Sequence, residues 1–138
     1  MINFRKSYTN KVTVTLTENA TVNNPIYLFL FKNQQSGVDY YFIAADTSAF
    51  KERYNQFYVT EKVNPDSLNG EVSLGHEGFY DYIVYQTSLS NTTGLTTAAD
   101  AVQYITKTVE LGLVWVIPDA VITTDYNPST TNTIIYTP

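Results

Sequence analysis

The chain has 138 residues, a formal net charge of −5 and no cysteine, which fits a single domain large enough to fold without a metal or a disulfide. The missing cysteines exclude thiol catalysis, iron–sulfur ligation and a disulfide framework. Eight Lys and Arg, scattered singly apart from Arg5-Lys6, exclude the clustered phosphate neutralisation that nucleic-acid binding requires. No stretch approaches the ~18 consecutive apolar residues of a membrane span. Arg5-Lys6 leads into Ser7, Tyr8, Thr9 and Asn10, so no secretory signal is expected. With 12 Tyr, 7 Phe, abundant Thr and 15% charged residues, the composition suits pleated, half-buried strands, and an all-β fold is expected.

Lys11 to Thr17 alternates strictly, with Val12, Val14 and Leu16 on one face and three threonines on the other, which predicts a half-buried strand. Ile26 to Phe31 is continuously apolar. Such a run is a strand buried on both faces, or one whose second face meets another subunit. Asn33 to Gly37 reads as a turn into a strand from Val38 to Ala45, making a hairpin. Asp46 to Arg53 reads as one helical turn capped by Asp46 or Ser48. Tyr54 to Lys62, Glu71 to Leu74 and Phe79 to Thr87 read as strands. They are punctuated by Asn64-Pro65-Asp66, Asn69-Gly70 and Gly75-His76-Glu77-Gly78.

Ala98 to Glu110 carries two signals. Ala98, Val102, Ile105 and Val109 fall at helical spacing behind a Thr97/Asp100 capping-box pattern, whereas Tyr104 to Val109 is rich in β-branched residues. A strand with a bulge at Gly112, ending at Pro118, is the preferred reading. Residues 119–138 read as an extended arm with a short strand at the tip, after a domain over residues 1–118. Short strands with turns at this spacing give a β-sandwich. Gly78-Phe79-Tyr80-Asp81-Tyr82 has the spacing of a tyrosine corner with Tyr80 as corner residue, although no Trp lies on the expected earlier strand. An immunoglobulin-like sandwich is expected, with a jelly roll as the alternative.

Chemistry finds little footing. The one histidine, His76, sits in a glycine-rich corner and reads as a solvated turn residue rather than a base. No zinc, calcium or phosphate-loop pattern occurs. Paired carboxylates such as Glu71 with Asp81, or Asp39 with Glu61, would need the fold to unite them, and solvent-facing charge is the plainer reading. No enzyme activity and no cofactor is expected. The sequons at Asn19 and Asn91 read as chance matches in a Thr-rich chain. Aromatics exceed what one small core requires, and alternation must turn some outward. A protein interface is therefore expected over Tyr27, Phe29, Phe31, Tyr40, Tyr41 and Phe57, joined by Tyr126, Ile134 and Tyr136 of the arm.

In order along the chain stand Asn24-Pro25-Ile26-Tyr27-Leu28-Phe29, Tyr41-Phe42-Ile43, Arg53-Tyr54-Asn55-Gln56-Phe57, Leu68-Asn69-Gly70-Glu71-Val72, Gly78-Phe79-Tyr80-Asp81-Tyr82 and Val109-Glu110-Leu111-Gly112-Leu113-Val114. This series resembles small virion proteins of tailed phages that infect Bacteroidetes, crAss-like phages included, and in particular the auxiliary capsid proteins that decorate the head. It covers roughly residues 9–118. The resemblance implies a non-enzymatic protein made in the bacterial host cytoplasm and carried in many copies on the capsid surface. There it would bind the major capsid protein, with head-fibre or other virion proteins as further partners. A carbohydrate- or receptor-binding module, and a head–tail connector or tail component, are the alternatives. The resemblance transfers no functional residues.

Overall fold

The computed structural model describes residues 1–21 and 25–117. Their strands are β1 (Ile2–Arg5), β2 (Thr9–Val14), β3 (Tyr27–Asn33), β4 (Asp39–Ile43), β5 (Asn55–Glu61), β6 (Glu71–Val72), β7 (Gly78–Thr87) and β8 (Ile105–Ile117). Five form one sheet in the order β1-β8-β7-β3-β4, and three form a second in the order β2-β5-β6. β1 runs parallel to β8 and β6 parallel to β5, while every other pairing is antiparallel. The two sheets pack face to face as a β-sandwich, so the all-β expectation holds.

The core follows from alternation. Val12 and Val14 of β2 and Phe57 and Val59 of β5 meet Phe29, Phe31, Phe42, Tyr80 and Val84 from the larger sheet. Phe29 lies at the centre, stacked on Phe42 at 5.0 Å and edge-on to Phe57 at 4.8 Å. β3 is buried on both faces, the first of the two options its apolar run allowed. Its odd residues enter this core, and Leu28 on the outer side packs with Ile43 under Ala98 and Ala101. The second face is covered from within the chain and not by a subunit.

The cover is a 3₁₀ helix, Ala98–Tyr104, and here the expected strand is corrected. The capping signal prevails: Asp100 Oδ2 accepts the N–H groups of Thr97 at 2.9 Å and Thr96 at 3.1 Å, and two alanines bring the backbone close to the sheet. The bulge at Gly112 is corrected as well. Gly112 pairs with Tyr82 in register, and the irregularities place the extra residues at Val109 and Thr106. Gly112 lacks a side chain for another reason. A Cβ there would stand 2.7 Å from Tyr82 Cζ and 2.8 Å from its hydroxyl, so the tyrosine ring fills that space. Asp46 to Arg53 is not a helix. Asp46 Oδ1 accepts from Ser48 N–H and Ser48 Oγ from Phe50 N–H, and the N–H groups of Arg53 and Tyr54 close a turn on the Phe50 carbonyl.

The Tyr80 hydroxyl donates to the His76 carbonyl at 2.6 Å, four residues upstream, which is the bond a tyrosine corner makes. It fixes the entry of the chain into β7. The hairpin between β3 and β4 turns on Asn33, whose Oδ1 accepts from Gln35 and Ser36 N–H groups, with Gly37 at φ +72°.

Candidate protein interface

The residues expected at an interface divide sharply. Tyr27, Phe29, Phe31 and Phe57 are buried in the sandwich core and present no side chain to a partner. Their aromatic surplus is used inside, because a thin core between two sheets is filled efficiently by edge-to-face rings. Tyr40 is half-buried against Tyr80, and its hydroxyl accepts the Gly75 N–H at 3.2 Å. Tyr41 is half-buried in the small cluster under the 3₁₀ helix. Tyr126, Ile134 and Tyr136 lie outside the described residues, as does the boundary expected at residue 119.

A different surface emerges from the outward row of β8. Strand alternation turns Val114 and Val116 into the core and Leu111, Leu113, Trp115 and Ile117 to the other face. Leu111 is 67% exposed and Leu113 42%, while Trp115 leans on Phe79 of β7 with ring centroids 4.5 Å apart. The 3₁₀ helix covers this face over β3 and β4 and reaches Tyr85 of β7 and Ile105 of β8, and leaves Leu111 and Leu113 exposed. Charges frame it. Asp81 faces Leu113 across the ladder and accepts Gln34 Nε2 at 3.0 Å, and Lys32 approaches Asp39 at 3.8 Å. The composition could not single out this row, since Leu111-Gly112-Leu113-Val114-Trp115-Val116-Ile117 reads as uniformly apolar.

The groups considered for chemistry are held in structural bonds. The His76 carbonyl, not its ring, carries the contact with Tyr80. Glu71 and Asp81 stand on different sheets, as do Asp39 and Glu61. Glu61 is buried and accepts the Ser7 N–H at 2.8 Å and the Leu74 N–H at 3.0 Å, tying two loops to β5. A cleft of about 850 Å³ is bordered by Tyr27, Asp46, Lys51, Glu52 and Asn55. Asp46 Oδ2 accepts Asn55 Nδ2 at 2.6 Å, and Asn55 Oδ1 accepts the Leu16 and Thr17 N–H groups, so these two side chains join the segment after β2, the β4–β5 loop and β5. Among the described residues no cluster of three His, Asp or Glu is placed to hold a metal, and no helix is long and apolar enough to cross a membrane.

Burial acts on the tyrosines. The Tyr82 phenol is pushed well above its ordinary range, first by burial and then by the Glu110 carboxylate, which accepts its proton at 2.7 Å. Tyr27 is raised by burial and by Asp46, Tyr41 by burial and by Asp39, and Tyr80 chiefly by burial. No family model, curated protein or solved structure matches the chain.

Proposed function

We propose that this protein is a non-enzymatic virion component, an auxiliary protein bound to the outer surface of a phage capsid through contacts with the major capsid protein. The observation that carries the reading is the uncovered apolar row of β8, with Leu111, Leu113 and Trp115 beside Phe79. Contiguous exposed apolar side chains rimmed by polar ones mark protein contact surfaces, and aromatic residues are enriched there. The sequence resemblance to head-decorating proteins supplies the partner. Many copies on one shell would make individually weak contacts durable. Within the sandwich class, an immunoglobulin-like arrangement is the form we favour, supported by the tyrosine-corner bond of Tyr80 and by the order β1-β8-β7-β3-β4.

The test is the copy number of the protein in purified virions, by quantitative mass spectrometry against the major capsid protein. A simple ratio to the shell protein supports decoration, a few copies per particle supports a connector or tail position, and absence overturns the virion reading. A second reading, a carbohydrate- or receptor-binding module, draws on the paired rings of Phe79 and Trp115 as a stacking platform. It predicts saturable binding on a glycan array that is lost in Trp115→Ala.

A further inference from the structure

Between β7 and β8 the chain makes an excursion over the outer face of the larger sheet, residues 88–104, and returns to where it left. The neck of this excursion is fastened independently of it. Thr87 pairs with Ile105 across the ladder, and its N–H and hydroxyl both donate to the Ile26 carbonyl, at 3.1 Å and 2.8 Å. Ser88 N–H closes on the Tyr104 carbonyl at 3.0 Å. Inside the excursion the bonds are local: Thr93 N–H to Asn91 Oδ1, Leu95 N–H to the Thr92 carbonyl, and Thr96 and Thr97 N–H to Asp100 Oδ2. Away from the neck, among the described residues, a single hydrogen bond ties it to the rest of the molecule, from Ala98 N–H to Ser67 Oγ at 2.9 Å.

Apolar contact adds little to that tie. Ala98 and Ala101 are the buried side chains of the segment, while Val102 and Tyr104 are exposed. Two methyl groups remove little apolar area from water, and 3₁₀ turns have poorer hydrogen-bond geometry than α-helix. What lies beneath is larger. Tyr85, Leu28 and Ile43 stand in one row across β7, β3 and β4, with Leu28 and Ile43 shielded from solvent. The row continues into the cleft of about 850 Å³: Ile26, Ile43 and Leu68 belong both to the cluster under the helix and to the cleft wall. Asn91 and Thr92 of the excursion border the same cleft.

We infer that residues 88–104 form a lid, which opens as one unit on the Thr87–Ile105 neck while the sandwich stays folded, and that opening joins the cleft to the apolar row beneath the helix. Segments with few buried apolar contacts and self-contained hydrogen bonds open at a lower free energy than the core. A seven-residue helix is unstable by itself, so its own bonds are lost together with its seat on the sheet. Opening breaks the Ser67 bond and uncovers Leu28 and Ile43, and it leaves the pairing of β3 with β4 and β7 in place. The inference concerns the chain alone and does not rest on the virion reading.

The test is amide exchange of the full chain, read by NMR. The hydrogen-bonded amides of Thr97, Ala98 and Asp100 should share one protection, within about threefold, and lie about a hundredfold or more below Phe29, Leu30 and Phe31 of β3. Ala101→Asp sets a carboxylate against the cluster of Leu28 and Ile43 and should hold the lid open. Protection of the three lid amides should then vanish, and anilinonaphthalene sulfonate fluorescence should rise. The β3 amides should lose no more than the factor by which the lid was protected in the wild-type chain, because only the closing free energy has been removed. Lid amides as well protected as β3 overturn the inference, since the segment would then open only with the whole fold. Unequal protection along the lid overturns it too, as fraying and not a unit. A larger loss at β3 in the variant, or unchanged dye fluorescence, also overturns it. The wild-type comparison decides the matter if the variant does not fold. No capsid enters the experiment, so its failure leaves the virion reading standing, and the converse holds.

Discussion

Tyr80 joins two requirements in one side chain, because its ring fills the core while its hydroxyl reaches the His76 carbonyl at 2.6 Å. Tyr80→Phe keeps the ring and strands the carbonyl. Urea denaturation should register a loss of about 1 kcal/mol, the net worth of one hydrogen bond. Gly112 is constrained from the other direction. Gly112→Ala would drive a methyl group into the Tyr82 ring and should cost about 1–3 kcal/mol, as overpacking does. The cost should shrink when Tyr82 is also reduced to Leu, since the two residues share one space. Glu61→Ala would leave the buried Leu74 N–H and the part-buried Ser7 N–H without an acceptor, at about 1–3 kcal/mol, whereas Glu61→Gln retains an acceptor and should cost less.

At the scale of elements, the 3₁₀ helix is the piece that sequence patterning misjudged. A seven-residue helix has little periodicity to display, and the β-branched residues that follow belong to β8, so the strand signal bled upstream. The cap outweighed it: Asp100→Ala should cost about 1 kcal/mol and raise dye binding at the newly exposed Leu28 and Ile43. β2, the β3–β4 hairpin and the tyrosine corner were legible because alternation, Asn/Gly turn chemistry and local spacing act within a few residues. The interface was not. Choosing among Tyr27, Phe29, Leu111 and Trp115 requires knowing which face of each strand is covered, and that depends on partners distant in sequence. β3 looked like a surface because it is apolar throughout, yet it sits between β7 and β4 with layers on both sides.

For the whole molecule, four phenols raised above the ordinary value of 10.0 set an alkaline limit. The folded state holds these protons more tightly than the unfolded chain does, so their contribution is constant below about pH 10 and declines as pH rises beyond it. The part of the tyrosinate absorbance that is lost in Tyr27→Phe, Tyr41→Phe, Tyr80→Phe and Tyr82→Phe should therefore appear in step with loss of β-sheet circular dichroism and not ahead of it. Under the proposed capsid-binding role, Leu111→Asp with Leu113→Asp should weaken capsid binding by about tenfold or more, with little change in the denaturation midpoint, because both side chains are exposed in the free chain. The parallel pairing of β1 with β8 has a mechanical side. Ile2 lies beside Val114 and Arg5 beside Ile117, so a pull applied at Ile2 and opposed at Ile117 slides the two strands lengthwise past each other. Every bond in that short ladder is then loaded in shear at once instead of unzipping in turn. A load along the strand axis between Ile2 and Ile117 thus meets the joint in the direction in which it resists most.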